Sequence, residues 1–192
     1  MKNFQLKDYA LKLGTELLQS HIANQAQEIS LVTNKSKEAA PGTIFCAIAG
    51  AKTDGHKYID DALRHGASVI IHSALDENSY QENVSYLKVK DSYKAYALAV
   101  ELFYGNPASG MKLGAVTGTN GKTTTAYILR ALVESVHPGK CGFISTVEYA
   151  LGDGLAIEAE RTTPEAAELQ SFFHRMLKNG CSHMVMEQSS HG

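Results

Sequence analysis

The stretch KLGAVTGTNGKTTTAYILRALVES, residues 112–135, constrains the fold more than any other part of the chain. A short apolar run enters a glycine-rich turn, followed by a lysine, three threonines and a helical pattern. The run reads as a buried strand and the segment from Lys122 as a helix, the pairing that builds α/β folds. Gly118 and Gly121 let the backbone turn tightly and bring its N–H groups close to an anion. The helix that follows aims its positive end at the same place. Lys122 can set its ammonium between outer phosphates, and the Thr123 hydroxyl can ligate Mg²⁺. The strict spacing G-x-x-x-x-G-K-[ST] is not met, because Val116 stands where its first glycine belongs. The strand before the loop and the uncapped helix start after it still make this a nucleotide site. Generic NTPases, kinases and ATP-dependent ligases all use such a loop, so it does not name the reaction.

The rest of the chain alternates strands and helices. A helix is expected from Phe4 to about Leu18, with Leu6, Ala10, Leu13 and Leu17 on one face. Ile44 to Ala49 reads as a strand, DGHKYIDDALRHGA as a turn and helix stopped by Gly66, and SVIIHS and SYLKVK as two further strands. Asp91 is the expected N-cap of a helix reaching Tyr104. The Gly105–Gly110 segment GNPASG breaks the pattern and is the expected domain boundary, separating residues 1–108 from 109–192. Beyond it, CGFISTVEYAL and LAIEAE read as strands around the Gly152–Gly154 turn. A helix follows, capped by Thr163, with Pro164 in its first turn and Gly180 at its end, and SHMVME is a last strand. The fold class is α/β: a small N-terminal domain, then a nucleotide-binding domain with a largely parallel sheet.

Composition narrows the partners. With 44% hydrophobic and 20% charged residues, the chain is an ordinary globular protein. A formal charge of −2 with scattered Lys and Arg excludes nucleic acid as an expected partner. No apolar run approaches the roughly 20 residues that span a bilayer, and the N-terminus lacks the pattern of a signal peptide. Cys46, Cys141 and Cys181 are widely spaced and expected to be buried reduced thiols. The expectation is a cytoplasmic protein that neither enters nor binds a membrane.

Five stretches, the first contained in the second, together carry a resemblance. TGTNGKTT is similar to the ATP loop of the Mur ligases, the enzymes that build the peptide of peptidoglycan. FYGNPASGMKLGAVTGTNGKTTT resembles the family's domain junction, and TTPEAAELQ (162–170) and MEQSSHG (186–192) resemble the branch that adds the third peptide residue. PGTIFCAIAGAKTDGHKYIDDALRHGASVII is similar to the UDP-binding domain of that branch. The resemblance implies that Gly118, Thr119, Asn120, Gly121, Lys122, Thr123 and Thr124 hold ATP, and that Thr123 and Glu187 ligate Mg²⁺ with His191 close by. It implies that Lys122, Glu187 and His191 serve the chemistry. It also implies that Thr162, Thr163 and Ser189 bind the muramoyl dipeptide, and that Ser36, Ala51, Lys52 and Thr53 contact the uridine diphosphate. Read without the family, Thr162 and Thr163 are a helix N-cap pair, Ser189 is a loop residue, and Ser36 and 51–53 are surface-loop residues. The implied reaction is ATP-dependent addition of meso-diaminopimelate or L-lysine to UDP-N-acetylmuramoyl-L-Ala-D-Glu through an acyl phosphate.

The chain departs from the family pattern at several positions. Lys35-Ser36-Lys37 stands for the family's Asp-Ser-Arg, Arg161 for an Asn, Gln188 for an apolar residue and Ser145 for a glycine. The part from Gly110 onward, about 83 residues, reads as the beginning of a longer central domain. The expectation is therefore a portion of a ligase without the family's C-terminal amino-acid-binding domain. A binding-only short protein holding ATP or a UDP-sugar without turnover is the alternative.

Overall fold

The computed structural model describes residues 5–50 and 53–189. The chain divides into two compact units, Met1–Gly105 and Asn106–Gly192.

In the first unit, helix α1 spans only Leu6–Leu13, burying Leu6, Tyr9 and Leu13. Gly14 ends it, and Leu17–His21 forms strand β1 rather than the last turn of the expected helix. Phe4 lies outside the described residues. Leu17 fits a helical period, but pairing with a neighbouring strand overrides that local preference. Strands β2 (Leu31–Thr33), β3 (Thr43–Cys46), β4 (Val69–His72) and β5 (Ser85–Val89) complete a sheet of order β1-β5-β4-β3-β2. β2 through β5 are parallel and β1 is an antiparallel edge. Every residue of β3 and β4 is buried, as expected of inner strands of a parallel sheet. β3 stops at Cys46, short of the expected Ala49, which bridges Asp54 across a turn. Helices α2 (Ile59–Arg64) and α3 (Ser92–Phe103) accompany the sheet. Asp91 caps α3, its Oδ1 accepting from the Tyr93 and Lys94 amides at 2.9 and 3.1 Å.

His72, at the end of β4, is wholly buried. Its Nδ1 accepts from the Leu75 amide at 3.1 Å, so the ring proton sits on Nε2 and is donated to the Tyr80 hydroxyl at 2.7 Å. Tyr80 stacks on Tyr86 with ring centroids 4.0 Å apart. Burial, with His56 and Lys88 nearby, pulls the His72 pKa from 6.5 down to about 4.

The second unit holds β6 (Lys112–Val116), α4 (Lys122–Val136), β7 (Cys141–Ile144), β8 (Glu148–Ala150), β9 (Ala156–Glu158), α5 (Ala166–Lys178) and β10 (His183–Glu187). The sheet order is β6-β10-β7-β8-β9. β10 runs parallel to β6 and β7, whereas β7-β8-β9 is antiparallel. CGFISTVEYAL is therefore two strands. The Ser145 hydroxyl breaks it, accepting from the Val147 and Glu148 amides at 3.1 and 3.0 Å and donating to the Glu148 carbonyl at 3.1 Å. Helix α5 starts later than expected. Thr163 does not cap it; Glu165 is the N-cap, without a side-chain bond. The Thr163 hydroxyl is taken by Ser189 instead, at 3.1 Å from its amide and 3.5 Å from its hydroxyl oxygen. All three cysteines are buried and free, and burial raises the Cys141 thiol to about 11. Among the described residues no helix is long and apolar enough to cross a membrane.

Candidate functional site

Strand order places the second unit's site. The chain leaves β6, forms α4 and returns as β7, while β10 is inserted between the two strands. Ligands of parallel α/β sheets gather where the strand order switches in this way. Glu187, the last residue of β10, pairs with Val116, the last residue of β6. The strand-end carboxylate thus arrives where the glycine loop begins, and the Gln188 amide donates to the Val116 carbonyl at 2.9 Å.

In the loop, Gly118 and Gly121 have φ of 141° and 77°, and a Cβ on either would meet nothing within 4 Å. Their need for glycine is conformational, and the space beside them is open. Thr119 and Asn120 are exposed in the loop, and Thr124 is exposed on the first turn of α4. Gly121 is the N-cap of this 15-residue helix and supplies no side-chain acceptor. The helix end is therefore left with N–H groups suited to an anion. The Lys122 ammonium folds back and donates to the Gly118 carbonyl at 2.8 Å.

Glu187, at the end of β10, is fully buried. A buried carboxylate needs donors, and three reach it. The Thr123 hydroxyl donates to Oε2 at 3.0 Å, the Thr146 amide to Oε1 at 3.1 Å and the Thr146 hydroxyl to Oε2 at 3.2 Å. The Thr146 hydroxyl oxygen also lies 3.3 Å from the Thr162 hydroxyl oxygen. Thr123 and Glu187 form an all-oxygen donor pair with one carboxylate, which fits Mg²⁺ held mainly by phosphates and water.

The segment before α5 is fixed from below. The Tyr149 hydroxyl donates to the Arg161 carbonyl at 2.5 Å and accepts from the Arg161 amide at 3.2 Å, and the Arg161 guanidinium pairs with Glu165 at 2.9 Å. Replacing the buried Tyr149 by Phe removes both backbone bonds and is expected to lower the unit's unfolding free energy by about 1–2 kcal/mol. Denaturant unfolding checks it, and an unchanged midpoint would show that the clamp carries no weight.

In the first unit, Ser36 is buried rather than on the surface, and its hydroxyl bonds the Asp61 carboxylate. Lys35 is engaged with Glu38 at 3.4 Å. Thr53 is exposed, and its carbonyl accepts from the Gly50 amide at 3.1 Å. Ala51, Lys52 and His191 lie outside the described residues. The second unit therefore brings Thr123, Glu187 and Thr162 into one connected network and joins Thr163 to Ser189. Sequence reasoning missed Thr146. Its available signal was position: a hydroxyl residue just past the apolar strand CGFI, at the loop end of the sheet.

Comparison with known proteins finds one family match within each of the two units. Residues 116–192 match the Mur ligase middle domain and residues 28–104 match the Mur ligase family catalytic domain, together about four fifths of the sequence. The chain is 39% identical over 189 residues to the UDP-N-acetylmuramoyl-L-alanyl-D-glutamate–2,6-diaminopimelate ligase of Clostridium tetani, covering 97% of this chain and 38% of that protein. It is 38% identical over 194 residues to the UDP-N-acetylmuramyl-tripeptide synthetase of Borreliella afzelii, covering 99% of this chain and again 38% of the relative. Among solved structures, a UDP-N-acetylmuramoyl-L-alanyl-D-glutamate–2,6-diaminopimelate ligase superposes with a TM-score of 0.65 at 23% identity, over 88% of this chain and 33% of that one. MurF ligase from Thermotoga maritima in complex with ADP superposes with a TM-score of 0.52 at 26% identity, over 83% of this chain and 32% of that one. The chain thus spans about 38% of the length of the curated relatives it matches.

Proposed function

The chain belongs to the Mur ligase family, and on that premise we propose that it carries the nucleotide and muramoyl-peptide binding residues of a ligase that adds the third amino acid of the peptidoglycan peptide. In this reading, residues 118–124 hold ATP, with Lys122 at the outer phosphates. Thr123 and Glu187 would hold magnesium, which neutralises charge on the transferring phosphoryl group. Thr162, Thr163 and Ser189 bind the dipeptidyl part of UDP-N-acetylmuramoyl-L-Ala-D-Glu, and Ser36 and residues 51–53 bind its uridine diphosphate. The phosphoryl group passes to the substrate's terminal carboxylate, and the amine of meso-diaminopimelate or L-lysine attacks the acyl phosphate, releasing amide, ADP and phosphate. The protein's part is to hold acceptor and phosphoryl donor in line. Its setting is the cytoplasm, where the nucleotide-linked substrate and ATP meet.

The observation that supports this reading is the continuous hydrogen-bonded path from the phosphate loop to the peptide-binding segment: Thr123 to Glu187, Glu187 to Thr146, Thr146 to Thr162. Calorimetric titration with UDP-N-acetylmuramoyl-L-Ala-D-Glu tests it. Saturable binding is expected, weakened about tenfold by Thr162→Val or Thr163→Val, the effect of losing one well-placed hydrogen bond. Binding that is absent in a chain that still binds ATP, or indifferent to both threonines, would remove the muramoyl-peptide assignment. A binding-only protein remains distinguishable by substrate-dependent ADP release, which it lacks.

A further inference from the structure

Thr146 has no part in the assignments above, yet it makes more contacts to Glu187 than Thr123 does. Its amide addresses one carboxylate oxygen at 3.1 Å and its hydroxyl the other at 3.2 Å. One donor on each oxygen fixes the plane of the carboxylate. A hydroxyl has one hydrogen, and an ionised carboxylate only accepts. The Thr146 hydrogen is therefore committed to Glu187, and the 3.3 Å contact with Thr162 is one in which Thr162 donates. The hydroxyls thus form a directed chain, Thr162 to Thr146 to Glu187. Thr123 approaches the same oxygen, Oε2, from α4. A cation held by Thr123 and Glu187 would engage that side, leaving the two Thr146 bonds as what keeps the carboxylate aimed. The local sequence supports this arrangement. Ser145 closes the turn after β7 with three bonds to residues 147 and 148, and so holds Thr146 pointing across the end of β10.

We propose that Thr146 is a positioning residue for the metal-binding carboxylate, and that through Thr162 it ties the orientation of that carboxylate to the peptide-binding segment. The proposal rests on the reading of Thr123 and Glu187 as the magnesium ligands. Thr146 is itself exposed, and Thr146→Val leaves Glu187 the Thr146 amide and the Thr123 hydroxyl as donors.

The test is ATP affinity of the 192-residue chain, measured by calorimetry in magnesium and in EDTA, for the native protein, Thr146→Val and Thr146→Ser. The native chain is expected to bind ATP more tightly in magnesium. Thr146→Val is expected to lose about fivefold to tenfold in magnesium and to match the native chain in EDTA, whereas Thr146→Ser, which keeps both donors, stays within about twofold throughout. Thr162→Val is expected to reduce the magnesium gain by a smaller factor, since it acts one bond further away. A native magnesium gain that Thr146→Val leaves intact overturns the proposal alone. A native chain with no magnesium gain overturns the reading beneath it. Loss of ATP affinity by Thr146→Val in EDTA as well would show that the residue acts through folding, and would also overturn the proposal.

Discussion

Replacing Lys122 by alanine is expected to weaken ATP binding roughly 30- to 150-fold, the ~2–3 kcal/mol of a charge-assisted contact. The ammonium of Lys122 donates to the Gly118 carbonyl at 2.8 Å, which bends the side chain over the loop. That carbonyl is a neutral acceptor, and a polyphosphate is a stronger one, so the lysine exchanges a weak partner for a strong one on binding. The fold does not depend on this residue. Ala126 is the buried residue of α4, and the loop conformation is set by Gly118 and Gly121. Thermal unfolding of Lys122→Ala should therefore match the native chain within about 0.5 kcal/mol. Calorimetry with ATP checks the first statement and a melting curve the second. An affinity unchanged by the substitution would place the phosphates elsewhere.

The first unit is expected to lose stability between pH 6.5 and pH 4 because of His72. Its pKa is lowered to about 4 in the folded chain, against 6.5 when unfolded. The unfolded state therefore takes up the proton first as pH falls. The stabilisation is complete above pH 6.5, is lost through the window down to about 4, and amounts to at most about 3 kcal/mol. The physical cause is burial of a neutral ring whose two nitrogens are already committed, Nδ1 accepting from Leu75 and Nε2–H donating to Tyr80. Protonation would turn Nδ1 into a donor facing another donor. The carboxylates of Asp54, Asp61 and Asp91 also have lowered pKa values, held by His56, Ser36 and Lys94. Their effect falls in the carboxylate range below pH 4, so the two windows separate. Denaturant unfolding of the native chain and of His72→Gln across pH 4–7 checks the account. The variant should be less stable at pH 7 yet show a shallower slope. Parallel slopes for the two proteins would contradict it.

How much of this was visible in the sequence follows from how each feature is made. The glycine-rich loop is contiguous, so its glycines, lysine and threonine could be read as a candidate phosphate site from the sequence although Val116 departs from the strict spacing. Asp91 as a cap was equally local, since an N-cap needs only an acidic side chain and the amides two and three residues on. Features built by strand order were not visible. Glu187 could be placed at a strand end, but its burial follows from β10 being inserted between β6 and β7. Its bond to Thr146 joins residues 41 positions apart. Thr163 followed the capping pattern, but its hydroxyl found Ser189, 26 residues away, and Glu165 became the N-cap instead. Leu17 continued the helical period of α1, but the chain turned at Gly14 and used it in β1. For Thr163 and Leu17 a local preference of about 1 kcal/mol or less yielded to a partner supplied by the tertiary fold.

The loop at 118–124 and the carboxylate of Glu187 are proposed to form one magnesium–nucleotide site. Its most direct test is a calorimetric titration of the chain with ATP, with and without magnesium, repeated on Glu187→Gln. Single-site binding that tightens with magnesium is expected in the native chain, and a Glu187→Gln variant is expected to keep the magnesium-free affinity but lose the gain. Magnesium-enhanced binding that survives intact in Glu187→Gln would contradict it, as would a native chain that does not bind ATP.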